Sequence, residues 1–240
     1  MTDVHCHVTG GDPSVREFLI GRDFIGVHPW ETLGNNRIIE YSNNRMSEIR
    51  RRLEAEPGLG VGEIGLDRLK EREISPQMRE VFEVQLKLAF EFNRSVVLHG
   101  AKCWGQVVRS VNSIIRLFDY SIISPFLFHG FSRSDGLIPD IVALNGYISV
   151  GPAVLNGHAV NYRELVKKIP LERLLLETDR TPENAAECPS VTEVAAAVAT
   201  YRNMSFTELE RITDENAERF FGSCRLPSAA IERPTESPLI

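Results

Sequence analysis

The residues best equipped to do chemistry in this chain stand at the ends of short apolar runs. His5 and His7 close Asp3-Val4-His5-Cys6-His7, and Glu63 follows Gly60-Val61-Gly62. His99 ends Ser95-Val96-Val97-Leu98, His129 ends Phe126-Leu127-Phe128, and Asp179 closes Leu174-Leu175-Leu176-Glu177-Thr178. Five successive runs, each delivering an imidazole nitrogen or a carboxylate oxygen, are what a divalent-metal site at one mouth of a parallel barrel requires. Singly, each has a plainer explanation. H-x-H suits a surface turn, Glu63 a salt bridge, His99 or His129 a hydrogen-bonded core histidine, and Asp179 a cap or turn. Glu63 strains its plain explanation most, because a carboxylate inside an apolar, glycine-rich strand is costly unless it is paired or metal-bound.

The elements between these residues alternate. Strand geometry turns successive side chains to opposite faces, so His5 and His7 share the barrel interior while Val4, Cys6 and Val8 face the helices. A helix is predicted from Ser75 as N-cap, with Pro76 at the first helical position, to about Phe92; Val81, Phe82, Leu86, Ala89 and Phe90 form its apolar face. A second runs from about Trp104 to Phe118, burying Val107, Val108, Val111, Ile114, Ile115 and Phe118. Strands at Ser95–His99, Phe126–His129, Tyr147–Val150 and Leu174–Asp179 alternate with these and with helices near Leu137–Leu144 and Tyr162–Ile169. Single helices between strands give repeated βαβ units and a parallel sheet. Ser205 and Glu208 form a capping box for a last helix that runs to Phe221 before Gly222.

Length and composition bound the rest. At 240 residues, with 42% hydrophobic and 25% charged, the chain suits one α/β barrel domain, expected over 1–224. The stretch 225–240, with three prolines among small and polar residues, is expected to be a disordered tail. No basic-then-apolar leader and no membrane-length apolar run appears, and the four cysteines form no C-x-x-C pair. A soluble protein of the reducing cytoplasm is therefore expected. The net charge of −6 argues against a broad electrostatic footprint on nucleic acid. Arg50-Arg51-Arg52 and Lys167-Lys168 suit solvated helix faces, and Cys6 suits the core. His158 is left unassigned. Trp30 and Trp104 each follow a motif at the predicted mouth, where either packing or stacking on a base would use them.

With these residues assembled, the chain resembles the TatD family of metal-dependent hydrolases among the amidohydrolase-like barrels. The matching segments are Asp3-Val4-His5-Cys6-His7, Gly26-Val27-His28-Pro29, Gly62-Glu63-Ile64-Gly65-Leu66-Asp67, Val97-Leu98-His99, Phe128-His129-Gly130-Phe131-Ser132, Tyr147-Ile148-Ser149 and Leu175-Leu176-Glu177-Thr178-Asp179. The resemblance implies a distorted TIM-type (β/α) barrel holding two divalent ions, with Zn, Mn, Fe, Ni and Mg all compatible with the ligand types. By the same resemblance His5 and His7 hold one ion, His99 and His129 hold the other, Glu63 is shared, and Asp179 completes the first while handling the water proton. His28 would stand close to the scissile phosphate. The implied activity is phosphodiester hydrolysis, as an exonuclease-like deoxyribonuclease with Asp179 and Glu63 in catalytic roles and DNA or another phosphodiester as partner.

The departures from the family pattern fall around the substrate. About 18 residues (8–25) separate His7 from Gly26, so the second β/α unit is expected to be shortened or missing, reduced to Val15–Ile20. Gly100-Ala101-Lys102 lacks the arginine that longer relatives carry two residues past the histidine, so that phosphate contact has either passed to Lys102 or been lost. Arg180 in Asp179-Arg180-Thr181-Pro182 and Arg68 after Asp67 are likewise unusual, and Arg180 becomes a candidate substrate contact. A small-molecule amide, lactone or phosphoester hydrolase with the same binuclear centre is the alternative activity; a non-enzymatic metal binder fits an intact ligand set least. No membrane partner is expected, and the oligomeric state is left open, a monomer being one possibility.

Overall fold

The computed structural model describes residues 1–33, 38–118 and 124–222, with the side chains of 38–43 and 118 left out. Residues 225–240, the expected tail, lie outside the described residues. Eight strands appear among them: β1 (Thr2–Cys6), β2 (Arg16–Leu19), β3 (Phe24–Ile25), β4 (Gly60–Asp67), β5 (Val96–Ala101), β6 (Phe126–Phe128), β7 (Gly146–Val150) and β8 (Leu174–Leu176). All pair in parallel, β1 with β2 and then β3 through β8 in chain order. A parallel bridge from Ile20 to Phe24 joins the two groups. At the other end the Asp179 N–H donates to the His5 carbonyl (3.0 Å) and the His7 N–H to the Arg180 carbonyl (2.8 Å), which brings the chain after β8 back onto β1. This is the parallel, helix-wrapped TIM-type fold expected.

The helices are α1 (Ile38–Ala55), α2 (Pro76–Glu91), α3 (Trp104–Phe118), α4 (Ile138–Ala143), α5 (Val160–Lys168), α6 (Val191–Arg202) and α7 (Phe206–Gly222). Ser75 caps α2 by accepting from the Met78 N–H (3.1 Å), and Val81, Phe82, Leu86, Ala89 and Phe90 are all buried. In α3, Val107, Val108, Val111 and Ile114 are buried and Ile115 is half-buried. The second unit is shortened in a specific way. Its strand survives as β2, and the helix that should follow is replaced by a turn, where Gly21 N–H bonds the Phe24 carbonyl (2.7 Å) and leads straight into β3. Two sets of apolar side chains divide the core. Val96, Leu98, Phe126, Phe128, Ile148, Val150, Leu174 and Leu176 pack outward under the helices, and their alternates Val97, Leu127, Tyr147 and Leu175 share an inner cluster with Phe24, Phe220 and Phe221. Two residues past these four inner side chains stand His99, His129, Ser149 and Glu177, so alternation carries polar groups to one mouth.

The glycines of β4 set how near that strand lies to β5. Gly65 has φ +154°, and a Cβ there would collide with the carbonyl of His99. Replacing Gly65 with Ala would force β4 from β5 at the level of the histidine, costing about 3 kcal/mol. For a chain of this size that corresponds to a melting temperature roughly 6–12 °C lower. A thermal scan of Gly65→Ala showing an unchanged midpoint would contradict this close packing.

Candidate metal centre

Glu63 lies at the centre of the mouth, buried, and its two oxygens face different histidines. Oε2 is 3.7 Å from His5 Nε2 and 3.6 Å from His7 Nε2, and Asp179 Oδ1 approaches the same two nitrogens at 3.4 and 3.7 Å. Oε1 is 2.6 Å from His99 Nδ1, 2.7 Å from His129 Nε2 and 3.5 Å from His28 Nε2. The other five predicted ligands thus gather around the Glu63 carboxylate, the six coming from five strands or strand ends far apart in sequence. Groups able to surround a cation include His5, His129 and Asp179; His5, His7 and Glu63; and His28, Glu63 and His99.

The donor set fits a divalent metal. Ligand atoms about 2.1 Å from a shared ion in a tetrahedral shell stand about 3.4 Å apart. The His5, His7, Glu63 and Asp179 distances are close to that spacing and are too long for good hydrogen bonds. His5 is fully buried, and among the described residues neither of its ring nitrogens has a hydrogen-bond partner, nor does His129 Nδ1. Buried polar atoms without partners are costly, and a cation at this point would satisfy them. The Oε1 side is drawn in more tightly, with His99 and His129 both at hydrogen-bond distance from Glu63.

The electrostatics agree with a charge cluster short of cations. Burial would push the Glu63 carboxyl up, but His129, with His28 and His7 also facing the carboxylate, holds it well below the usual range. Burial opposes charge on His129, yet Glu63 and Glu177 raise it well above an ordinary histidine. His99 is raised against the same burial by Asp67 and Glu63. Asp179, half-exposed, is lowered against partial desolvation chiefly by His5 and His129.

His28 differs from the other imidazoles. It caps the 3-10 turn Pro29–Thr32, its Nδ1 accepting from the Trp30 N–H (3.1 Å) while the Glu31 carboxylate takes its own N–H (2.8 Å). With Nδ1 an acceptor, the proton of the neutral ring sits on Nε2, the atom aimed at Glu63. Histidines that bind metals donate from their far nitrogen, so His28 is set up as a hydrogen-bond donor into the site and not as a ligand. The buried amide of Gln85 holds this segment in place, accepting from Val27 N–H (2.6 Å) and donating to Val27 C=O (3.2 Å).

Three further carboxylates support the site, and none of them stands out in the sequence. Asp67 Oδ2 is 2.7 Å from His99 Nε2, and burial notwithstanding, that contact and the N–H groups of Leu69 and Lys70 bring its carboxyl down to about 2. Glu177 accepts from Gly130 N–H (2.8 Å) and the Ser149 hydroxyl (2.5 Å) beneath His129. Asp3 binds the Thr178 hydroxyl (2.6 Å) and N–H (3.1 Å), fixing the residue before Asp179; burial, outweighing these bonds, pushes Asp3 up to about 7. Alternation is the available signal: Asp3 is two residues from His5, and Glu177 two from the inward-facing Leu175.

Of the expected substrate contacts, Lys102 is exposed in a left-handed turn (φ +58°) just past β5. Arg180 is placed differently: its guanidinium donates to the carbonyls of Ala185 (3.1 Å) and Cys188 (3.2 Å) and so ties down the loop after Asp179. Arg50 and Arg52 pair with Glu91 and Glu56 on the surface, as expected. A cleft of about 1310 Å³ opens from Glu177, Thr178 and Asp179 toward Arg133, Tyr162 and His158. No helix among the described residues is long and apolar enough to cross a membrane.

A family model described as TatD related DNase matches residues 21–222. The uncharacterized metal-dependent hydrolase YabD of Bacillus subtilis (strain 168) is 30% identical over 204 residues, covering 82% of this chain and 76% of that protein. The protein named 3'-5' ssDNA/RNA exonuclease TatD from Pantoea vagans (strain C9-1) is 27% identical over 208 residues, with the same coverage of 82% and 76%. The crystal structure of YjjV, a TatD homologue from Escherichia coli K12, shares the fold with a TM-score of 0.72 at 22% identity, over 92% of this chain and 97% of that one. The chain belongs to the TatD family of metal-dependent hydrolases.

Proposed function

We propose that this protein hydrolyses phosphodiesters with the help of two divalent ions, acting as a deoxyribonuclease at a strand end. The observation carrying this is the division of Glu63: one oxygen faces His5 and His7 with Asp179 alongside, the other faces His99 and His129. His5, His7 and Asp179 would hold one ion and His99 and His129 the other, with Glu63 shared between them. Bound there, a divalent pair supplies Lewis acidity, lowering the pKa of water and offsetting charge on the phosphoryl oxygens.

The protein's own groups divide the remaining work. Asp179 is half-exposed toward the cleft while its other face meets His5, so it can accept the proton of the attacking water. His28 offers its Nε2–H to a phosphoryl oxygen, and Lys102 supplies positive charge at the rim. Arg180 is assigned to loop anchoring. The cleft wall carries Asp135, Glu164, Glu177, Asp179 and Glu187 against Arg133 and Lys168. Such a surface repels a run of phosphates, which favours engagement of one terminal nucleotide over a long strand. The Pantoea vagans relative, named as an exonuclease of single-stranded DNA and RNA, supports the same substrate class.

The acidic cleft also favours a second reading, hydrolysis of a small amide, lactone or phosphoester by the same residues. An assay of single-stranded DNA, a generic phosphodiester and a panel of lactones, with and without chelator, separates the two. The expected result is chelator-sensitive shortening of DNA and slower turnover of the generic diester; turnover confined to lactones would reject the nuclease assignment.

A further inference from the structure

The structure separates the two tryptophans. Trp104 is buried against Phe128 and Phe131, at ring-centroid distances of 5.6 and 5.4 Å. Trp30 is 41% exposed and stands at the lip of the metal centre, its ring 4.9 Å from that of His28 and 6.3 Å from that of His99, edge-on to both. Over the indole lies the Lys70 ammonium, 3.8 Å from the ring centroid, with no ion-pair partner among the described residues. A lone exposed aromatic needs no explanation. An exposed indole topped by an unpaired cation, within one ring's width of two site histidines, does.

Both residues are held in register with the site by backbone bonds. The Trp30 N–H donates to His28 Nδ1, the bond that points His28 Nε2–H at Glu63. The N–H groups of Leu69 and Lys70 donate to Asp67 Oδ1 (2.6 and 3.3 Å), and the other oxygen of Asp67 holds His99. The cleft on the Asp179 side includes none of His28, Trp30 and Lys70 in its lining. A substrate lying across Glu63 therefore meets carboxylates on one side and an aromatic with a cation on the other.

We propose that Trp30 and Lys70 form a nucleobase subsite, the indole stacking on the base of the nucleotide whose phosphate is presented to His28, and Lys70 leaving the ring for that phosphate. This rests on the phosphodiesterase assignment and names the part of the substrate that it leaves open. Every base has a π-face, so such a platform binds without regard to sequence. An exposed cation–π contact is weaker than base–aromatic stacking, so the incoming base displaces the ammonium and the freed charge lies beside the phosphate that accompanies it. One platform serves one nucleotide, in keeping with attack at a strand end.

The test compares deoxyadenosine 5′-monophosphate with deoxyribose 5-phosphate, which has the same phosphate and no base, by calorimetric titration of the metal-loaded full chain. The nucleotide is expected to bind about 5- to 150-fold more tightly. It should also quench tryptophan emission, since Trp30 is the exposed one of the two. Trp30→Ala should erase the difference, Trp30→Phe should keep most of it, and Lys70→Gln should weaken both ligands. Equal affinity for the two ligands in the wild type, or a difference that survives Trp30→Ala, overturns the subsite. Because binding is read without turnover, the two claims fail separately. Base-dependent affinity without cleavage of any phosphodiester would reject the phosphodiesterase assignment alone, and oligonucleotide cleavage without base-dependent affinity would reject the subsite alone.

Discussion

Replacing Glu63 with Ala is expected to remove bound metal and hydrolysis together. Its carboxylate touches His99 and His129 with one oxygen and faces His5 and His7 with the other, so no other side chain can stand in for it. Groups that merely orient metal ligands already alter affinity by about 10- to 100-fold when mutated, so loss of a carboxylate shared between two ions should exceed about 100-fold. Glu63→Gln keeps the volume and one acceptor and loses the charge; it is expected to fold normally and still bind metal poorly. Metal titration of both variants, with circular dichroism to verify folding, measures this directly. Wild-type metal content and rate in Glu63→Gln would mean that Glu63 is a structural salt-bridge residue.

Replacing Asp179 with Asn should separate binding from turnover. The amide retains an oxygen toward His5 and His7, so much of the metal should remain, but it cannot take a proton from water. Loss of a positioned general base lowers rates by about 10²- to 10⁴-fold, and kcat should fall in that range with metal content largely kept. Asp179 adopts a left-handed conformation, φ +49°, which Asn tolerates as well as Asp, so the backbone gives no separate reason for failure. A variant with wild-type kcat would move the proton-accepting role elsewhere.

Much of this site was legible in the sequence because strand alternation is a strict rule. Once the apolar runs are taken as parallel strands, His5, His99 and His129 must point inward at corresponding ends, and the structure places them within hydrogen-bonding or ligand distance of Glu63. What alternation does not give is the identity of groups that act through hydrogen bonds between distant segments. Gln85 lies on α2 and holds Val27, 58 residues away, and nothing in the helix periodicity marks it as more than a polar residue on a buried face. Arg180 looked available in the sequence because its charge is visible there, whereas the carbonyls it binds belong to a loop whose path is tertiary. Strand ends were also overextended. The run to Asp179 leaves strand geometry after Leu176, where the chain turns to reach His5. The short β2 and β3 lacked enough residues to show a period, and α6, though opened by a Ser190–Glu193 capping box, is rich in alanine and carries a weak apolar stripe.

The claim on which the rest depends is that side chains from five separate stretches share a pair of cations through one carboxylate. Crystals grown with Mn²⁺ and measured for anomalous scattering test it most directly. Two peaks are predicted at the mouth, one beside His5, His7 and Asp179 and one beside His99 and His129, with Glu63 between them. An empty mouth, or a single ion that leaves Glu63 uncoordinated, would contradict it.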